Sequence, residues 1–345
     1  TKKNSNSADL KYVFNVANEL KNLISKYKII VTKSTVPVTT GDKIEKILNN
    51  LKKNKLIDVV SNPEFLREGD AIRDFTYPDR VIVGTDSKKA NKILKSLYMP
   101  IIKKSSRYFN TSRRGAELIK YASNSFLATK ISFINELANL CEKTGVDIKD
   151  VSLGMGLDQR IGDRFLRAGP AYGGSCFPKD TRALIDIGNK FKTDLTIIKS
   201  VVASNNSRKT LLLERVKSIL NNKLKNKKIT FLGVTFKPNT DDMREASSIP
   251  MISYLNKKNS KINYYDPSGE KVEFKNLKNV KFSKSIKLAC LNADLVILHT
   301  EWNDFKFLNF KKLVKKNNFK IFDMRNIYSP LKMKKLNIKY YGIGR

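Results

Sequence analysis

The chain is poor in the residues that build most metal, disulfide and triad sites. Of its 345 residues one is histidine, His299, and three are cysteine, Cys141, Cys176 and Cys290. Three thiols and one imidazole cannot assemble a disulfide framework or the four clustered ligands of a structural zinc site, so no metal is expected. A lone histidine also argues against a Ser-His-Asp engine. No run of about 18 apolar residues occurs, which excludes a spanning helix, and no charged-then-apolar leader opens the chain. Unpaired thiols suit a reducing cytosol, so a cytoplasmic location is expected. Acidic residues are scarce as well: 32 stand against 67 lysines and arginines, for a net charge of +35. Such a balance would suit a phosphate backbone. The excess, however, is mostly lysine and collects in helix ends and turns, as at residues 51–55 and 223–228. No zinc-finger or RNA-binding signature accompanies it. The charge therefore reads as solvated surface, with no specific nucleic-acid or membrane partner. With 41% of residues hydrophobic, the chain can fill two or three domain cores.

Residues 7 to 105 alternate helix and strand. Ser7 can cap a helix whose apolar positions Leu10, Val13, Phe14, Ala17, Leu20 and Ile24 keep a 3–4 spacing. Strands are expected at 28–32, 57–60 and 81–83, with a helix from Gly41 to about Asn54 and a lysine-rich helix after Val83. Strands separated by helices imply a parallel sheet, whose chemistry collects beyond the carboxyl ends of its strands. Two segments fall there: Ser34-Thr35-Val36-Pro37 and Asn62-Pro63-Glu64-Phe65-Leu66-Arg67-Glu68-Gly69. No strand followed by a Gly-x-Gly-x-x-Gly turn stands near the start, so the sheet is small or its first strands lie outside this chain.

Residues 112–144 read as one helix stopped by Gly145, roughly 45–50 Å long. Its apolar set is wide for a helix with one wet face and predicts burial between domains or against a second copy of itself. Lys120 and Asn124 stand one turn apart on one side of it. After Arg208 the alternation restarts, with strands at 229–234, 262–266, 295–298, 320–323 and 338–342 and a helix at 247–257. The fold class is α/β: two doubly wound domains joined by a long helix and a helical segment. The expected divisions are 1–107, 108–208 and 209–345.

The densest chemical signal is Gly169-Pro170-Ala171-Tyr172-Gly173-Gly174-Ser175-Cys176-Phe177-Pro178-Lys179-Asp180-Thr181. Its glycines allow close backbone approach to a ligand. Asp180 or Thr181 can cap a helix starting near Arg182. A thiol near a helix N-terminus with a lysine beside it favours its nucleophilic thiolate form. Such a thiolate can attack a carbonyl carbon and hold the product as a thioester. Cys141 and Cys290 lie on apolar stripes and read as core filler.

Together these residues give the chain a resemblance. It resembles the UDP-glucose/GDP-mannose dehydrogenase family, and within it the UDP-glucose 6-dehydrogenases. The likeness rests on Ser34-Thr35-Val36-Pro37, on residues 62–69, on the helix with Lys120 and Asn124, and on Gly173-Gly174-Ser175-Cys176-Phe177-Pro178-Lys179-Asp180. It continues in Gly233-Val234-Thr235-Phe236-Lys237-Pro238 with Asp242-Met243-Arg244-Glu245. The segments keep the family's order and spacing over essentially the whole chain.

The resemblance implies Rossmann-like outer domains, with NAD as cofactor in the first and the UDP-sugar in the last, and a homodimer formed through the central helix. It implies oxidation of UDP-glucose to UDP-glucuronate in two hydride transfers. Cys176 would hold a thiohemiacetal and then a thioester that water cleaves. Lys120 and Asn124 would stabilise the developing oxyanion, Asp180 and Glu64 would act as acid–base groups, and Thr35 would position the water. Substrate contacts carried over by position are Glu64, Phe65, Leu66, Arg67 and Glu68, then Lys120, Asn124, Phe165, Leu166, Arg167, Ala168, Gly169, Gly173 and Lys237. Arg160 is similar to the arginine that reaches a neighbouring subunit's substrate. Cofactor contacts by the same route are Thr35, Glu68, Lys179 and Arg244, with Thr1 as a weaker candidate.

Family members carry roughly a hundred further N-terminal residues with the glycine turn that cradles the pyrophosphate. The chain is therefore expected to lack that first stretch and, alone, to bind NAD poorly and be inactive. Alternatives within the family are GDP-mannose and UDP-N-acetylmannosamine dehydrogenases; from other classes, a basic nucleic-acid binder or an inactive dimeric scaffold.

Overall fold

The computed structural model describes residues 9–102 and 107–345. The expected cap at Ser7 and the candidate contact at Thr1 lie outside the described residues. Two compact units are formed. One comprises residues 9–126 with Lys179–Ile198, the other Leu127–Pro178 with Lys199–Arg345. In chain order the elements of the first part are α1 (Lys11–Leu20), β1 (Lys28–Thr32), α2 (Thr40–Ile47), α3 (Asn49–Lys53), β2 (Ile57–Ser61), α4 (Ala71–Thr76), β3 (Arg80–Gly84), α5 (Lys88–Tyr98) and β4 (Arg107–Thr111). The helices α6 (Arg113–Thr144), α7 (Ile148–Gly156), α8 (Phe177–Lys190) and α9 (Thr196–Ile219) follow.

In the first unit the sheet runs β1-β2-β3-β4. β1 and β2 are parallel, as are β3 and β4, but β2 meets β3 antiparallel through the single pair Ser61↔Gly84. The expected all-parallel sheet is thus mixed. Alternation along β2 serves two cores. Ile57 and Val59 pack with Ala17, Ile44, Leu48 and Leu51 of the helices on one side, and Val60 packs with Val81, Val83, Ala90 and Leu94 on the other. The helix expected over 41–54 is broken at Leu48 into α2 and α3. α6 runs unbroken over 32 residues and ends where Gly145 takes φ +76°, the left-handed conformation a glycine adopts without a Cβ clash.

The second unit holds β5 (Lys228–Leu232), α10 (Ser248–Lys257), β6 (Lys261–Tyr265), β7 (Val280–Phe282), α11 (Ile286–Cys290), β8 (Leu295–Leu298), α12 (Phe310–Val314), β9 (Lys320–Asp323), α13 (Pro330–Lys335) and β10 (Lys339–Gly342). Its sheet is parallel throughout, in the order β10-β9-β8-β5-β6-β7. Counted from β5 this is 3-2-1-4-5-6, the doubly wound order whose direction reverses between β5 and β8. Leu295 and Ile297 face a core with α6, α9 and α10, while Val296 and Leu298 face one with Cys290, Phe310, Val314 and Met333. Both faces are covered, as a parallel sheet requires. The expected strands are present; three-residue β7 was too short to read from the pattern. Cys141 and Cys290 are core residues as expected, and burial pushes the Cys290 thiol up to about 12.

Candidate active site

In the first unit α6 turns Glu117, Lys120, Tyr121 and Asn124 inward, all buried. Lys120, only 3% exposed, sets its Nζ 3.3 Å from Glu64 Oε1 and 5.1 Å from the centre of the Phe65 ring. The guanidinium carbon of Arg80 lies 4.2 Å from the same ring. A buried ammonium requires such compensation. The second Glu64 oxygen accepts the Leu66 N–H at 2.6 Å, which fixes the carboxylate beyond β2. One turn along α6, Asn124 Nδ2 donates to Asp180 Oδ2 at 2.6 Å, and Lys179 Nζ donates to the other Asp180 oxygen at 2.5 Å. Asp180 is fully buried. Tyr121 packs with Ala183, Leu184 and Ile187 of α8, which sets the Asn124–Asp180 pair in register.

The helix bearing Asp180 begins earlier than the sequence suggested. It starts at Phe177, not near Arg182, so Asp180 lies within its first turn and neither Asp180 nor Thr181 is its cap. Pro178 sits in that turn, where a missing N–H costs nothing, and Cys176 occupies the capping position. Asp180 there is favoured by the helix dipole.

Glu117 was not singled out by sequence. Its Oε2 accepts the Thr39 N–H at 2.8 Å, and its Oε1 accepts the Gly41 N–H at 2.7 Å and the Ser61 hydroxyl at 3.1 Å. Burial raises its carboxyl above the ordinary range, against the lowering effect of these bonds. Thr39, at φ +80°, offers no side-chain cap to α2; Glu117 supplies one from a distant helix. Nearby, Lys33 Nζ donates to Asn62 Oδ1 at 2.9 Å and to the Tyr98 hydroxyl at 3.1 Å. Asn62 in turn donates to the Ile82 carbonyl. Thr35, half-buried, lies two residues after Lys33. Arg67 turns to Asp74, with Nη2 at 2.7 Å from its carboxylate, and closes its own segment.

In the second unit Cys176 is exposed, its Sγ 3.6 Å from Ser175 Oγ. The glycines before it fit closely: a Cβ on Gly174, at φ +80°, would stand 2.7 Å from the Phe236 ring, and one on Gly173 2.8 Å from the Glu245 carbonyl oxygen. Lys237 Nζ lies 5.5 Å from the Phe236 ring centre. The segment 165–172 is fixed by buried polar side chains. Asn135 Oδ1 accepts the Gly169 N–H, Arg208 Nε donates to the Gly169 carbonyl, and Asn205 bonds both backbone groups of Tyr172. Leu166 and Ala168 are core residues, Phe165 (φ +66°) meets Phe177 edge-on, and Arg167 is exposed. Arg160 and Arg244 are exposed and paired with their neighbours Asp158 and Asp242.

Where the second sheet reverses direction, the carboxyl ends of β5, β8 and β9 present Phe236, Lys237 and Arg325. Arg325 was also missed; its place just past β9 at a switch point was the available signal. Its Nε lies 2.9 Å from the His299 carbonyl and 2.7 Å from Glu301, and its Nη2 bonds the Phe236 carbonyl. His299 is fully buried between Ser247 Oγ and Thr300 Oγ1, and burial holds its imidazole down at about 3. It is neutral at every physiological pH. Trp302, the one tryptophan of the chain, packs against the core beside β8.

Comparison with known proteins agrees with these features. Residues 1–102 match the NAD binding domain of the UDP-glucose/GDP-mannose dehydrogenase family, residues 114–207 its central domain and residues 230–330 its UDP binding domain. The chain is 44% identical to the UDP-glucose 6-dehydrogenase of Rickettsia felis, covering 99% of this chain and 77% of that one. It is 43% identical to that of Rhizobium meliloti, with 98% and 78% covered. A solved UDP-glucose dehydrogenase from Pyrobaculum islandicum superposes with a TM-score of 0.88 at 32% identity, over 99% of this chain and 77% of that chain. The UDP-D-ManNAc dehydrogenase of Pyrococcus horikoshii, at 24% identity and a TM-score of 0.83, shares the fold. The expectation that the chain is inactive is not borne out by these matches. The chain belongs to the UDP-glucose/GDP-mannose dehydrogenase family.

Proposed function

We propose that the protein catalyses the NAD-dependent, four-electron oxidation of UDP-glucose to UDP-glucuronate. The observation that carries this reading is an exposed thiol, Cys176, at the start of a helix whose first turn holds a fully buried carboxylate, Asp180, bonded to Lys179 and Asn124. Two molecules of NAD, bound in turn, would supply the hydride acceptors, one for each oxidation. The chain's own residues fit it in donor chemistry: beyond β1 and β2 stand the Thr35 hydroxyl and the Glu68 carboxylate, suited to ribose hydroxyls, and Lys179 and Arg244 bring positive charge for phosphates.

The sugar's primary alcohol loses a hydride and a proton, the proton going to Asp180 directly or through water. The Cys176 thiolate adds to the aldehyde carbon, and the resulting oxyanion is met by the Lys120 ammonium and the Asn124 amide. A second hydride loss leaves a thioester. Water oriented by Thr35, with Glu64 taking its proton, cleaves the carbon–sulfur bond and returns the thiol. The uracil nucleotide is read by Lys237 and by the segment Phe165–Leu166–Arg167–Ala168–Gly169 with Gly173, and the sugar by residues 64–68. The GDP-mannose and UDP-N-acetylmannosamine alternatives share this chemistry and differ in the sugar and, for GDP-mannose, in the base.

The proposed division into 1–107, 108–208 and 209–345 is supported by family-domain matches over residues 1–102, 114–207 and 230–330. A homodimer through α6 is supported by an exposed apolar stripe, Leu118, Ala122, Phe126, Phe133 and Leu140, at helical spacing along one face. Arg160, exposed beyond α7, would exchange its Asp158 partner for the neighbouring subunit's substrate. A cytoplasmic setting agrees with three free thiols, and among the described residues no helix is long and apolar enough to cross a membrane. Cys176→Ser tests the reading: acid formation from UDP-glucose should fall at least about a thousandfold, and iodoacetamide should inactivate the unsubstituted enzyme alone. Retained turnover in the variant refutes it.

A further inference from the structure

We propose that Glu117 is a positioning residue for the hydrolytic half of the reaction, holding the backbone that carries Thr35. The inference rests on the assignment of Thr35 to the attacking water. One carboxylate joins two segments of the candidate site to the helix that carries it. It accepts N–H groups from Thr39 and Gly41 at the start of α2, at 2.8 and 2.7 Å, and the Ser61 hydroxyl at the end of β2, at 3.1 Å. It also sits on α6 one turn before Lys120. Thr35 lies four residues before Thr39, and Glu64 three after Ser61, so the two chains meant to handle water are registered against the helix of the oxyanion cation through this single side chain.

The backbone requires such a hold. Thr39 takes φ +80°, a region a β-branched residue enters only when its surroundings impose it. The turn is closed by the Thr40 N–H and hydroxyl, both bonded to the Pro37 carbonyl at 3.1 and 2.6 Å. Gly41 leaves no slack: a Cβ there would stand 3.1 Å from Glu117 Oε1 and 3.1 Å from Ser61 Oγ. Two backbone donors converge on two carboxylate oxygens, so a neutral amide satisfies one and opposes the other. Released from Glu117, Thr39 would relax toward negative φ and swing residues 35–38, while Lys120, Asn124 and Asp180 keep their own bonds.

The effect should therefore fall on thioester cleavage rather than on sugar binding. In Glu117→Gln, kcat for UDP-glucuronate formation should drop at least about tenfold with KM for UDP-glucose within about twofold. Intact-mass spectrometry under saturating UDP-glucose and NAD should find a larger fraction of chains acylated at Cys176 than in the unsubstituted enzyme. Glu117→Ala should do the same more strongly, with the unfolded fraction counted by iodoacetamide labelling of the buried Cys141 and Cys290. A kcat within twofold of the unsubstituted enzyme, or a fall in kcat with no added acylation, overturns the proposal. Acylation detectable in Thr35→Ala but unchanged in Glu117→Gln removes Glu117 alone; no acylation in any variant removes the thioester reading beneath it.

Discussion

His299 shows how burial decides a residue's part. Its ring has hydroxyl partners on both nitrogens and no carboxylate, and burial together with the positive charge of Arg325 pushes it to about 3. A group whose folded value is depressed stabilises the fold above its unfolded value near 6.5, and that contribution is lost as pH falls toward 3. Urea midpoints should drop between pH 7 and pH 5 by an amount equivalent to about 2 kcal/mol. His299→Gln, lacking the titration, should show a much smaller drop; an equal drop in both proteins defeats the account. At this scale sequence was informative where chemistry is rare and silent where it is common. A cysteine after paired glycines stands out. A glutamate on a long helix, or an arginine past a strand, looks like any other surface charge until the fold places it. Glu117 was invisible for that reason, Asn135, Asn205 and Arg208 likewise, and Arg325 carried only the signal of its place past a strand.

Elements were read best where period and length agreed. β1, β5, β6, β8 and β9 stand within a residue or two of expectation because short apolar runs bounded by charge allow little else. The start of α8 was misplaced because Pro178 was not credited as a first-turn residue, and the break at Leu48 has no strong breaker to mark it. The antiparallel contact of β2 with β3 could not be read at all, since it depends on one tertiary pair. α6 was legible in extent and in its excess of apolar surface. Phe126 and Phe133, 65% and 47% exposed, stand one heptad apart, where identical helices can pair. Phe126→Glu with Phe133→Glu should shift the sedimenting species from dimer to monomer. Dimers that survive both changes locate the interface elsewhere.

For the whole molecule the dominant quantity is charge. The +35 is carried by lysines that mostly end in solvent or in local pairs with single carboxylates, such as Lys52–Asp58, Lys190–Asp186 and Lys316–Asp294. Surface pairs of this kind contribute at most about 1 kcal/mol each and are screened by salt. Binding to duplex DNA should accordingly be confined to low ionic strength and be lost near about 0.15 M salt, without sequence preference. Retention at higher salt would revive the nucleic-acid reading. The same chain has a single indole, Trp302, four residues past the end of β8 and three from the only imidazole. Ultraviolet emission excited at the red edge thus comes from one spot, just beyond the carboxyl end of β8 where the second sheet reverses direction, and a ligand settling beside it should show as quenching or a colour shift with no dye attached and no residue replaced.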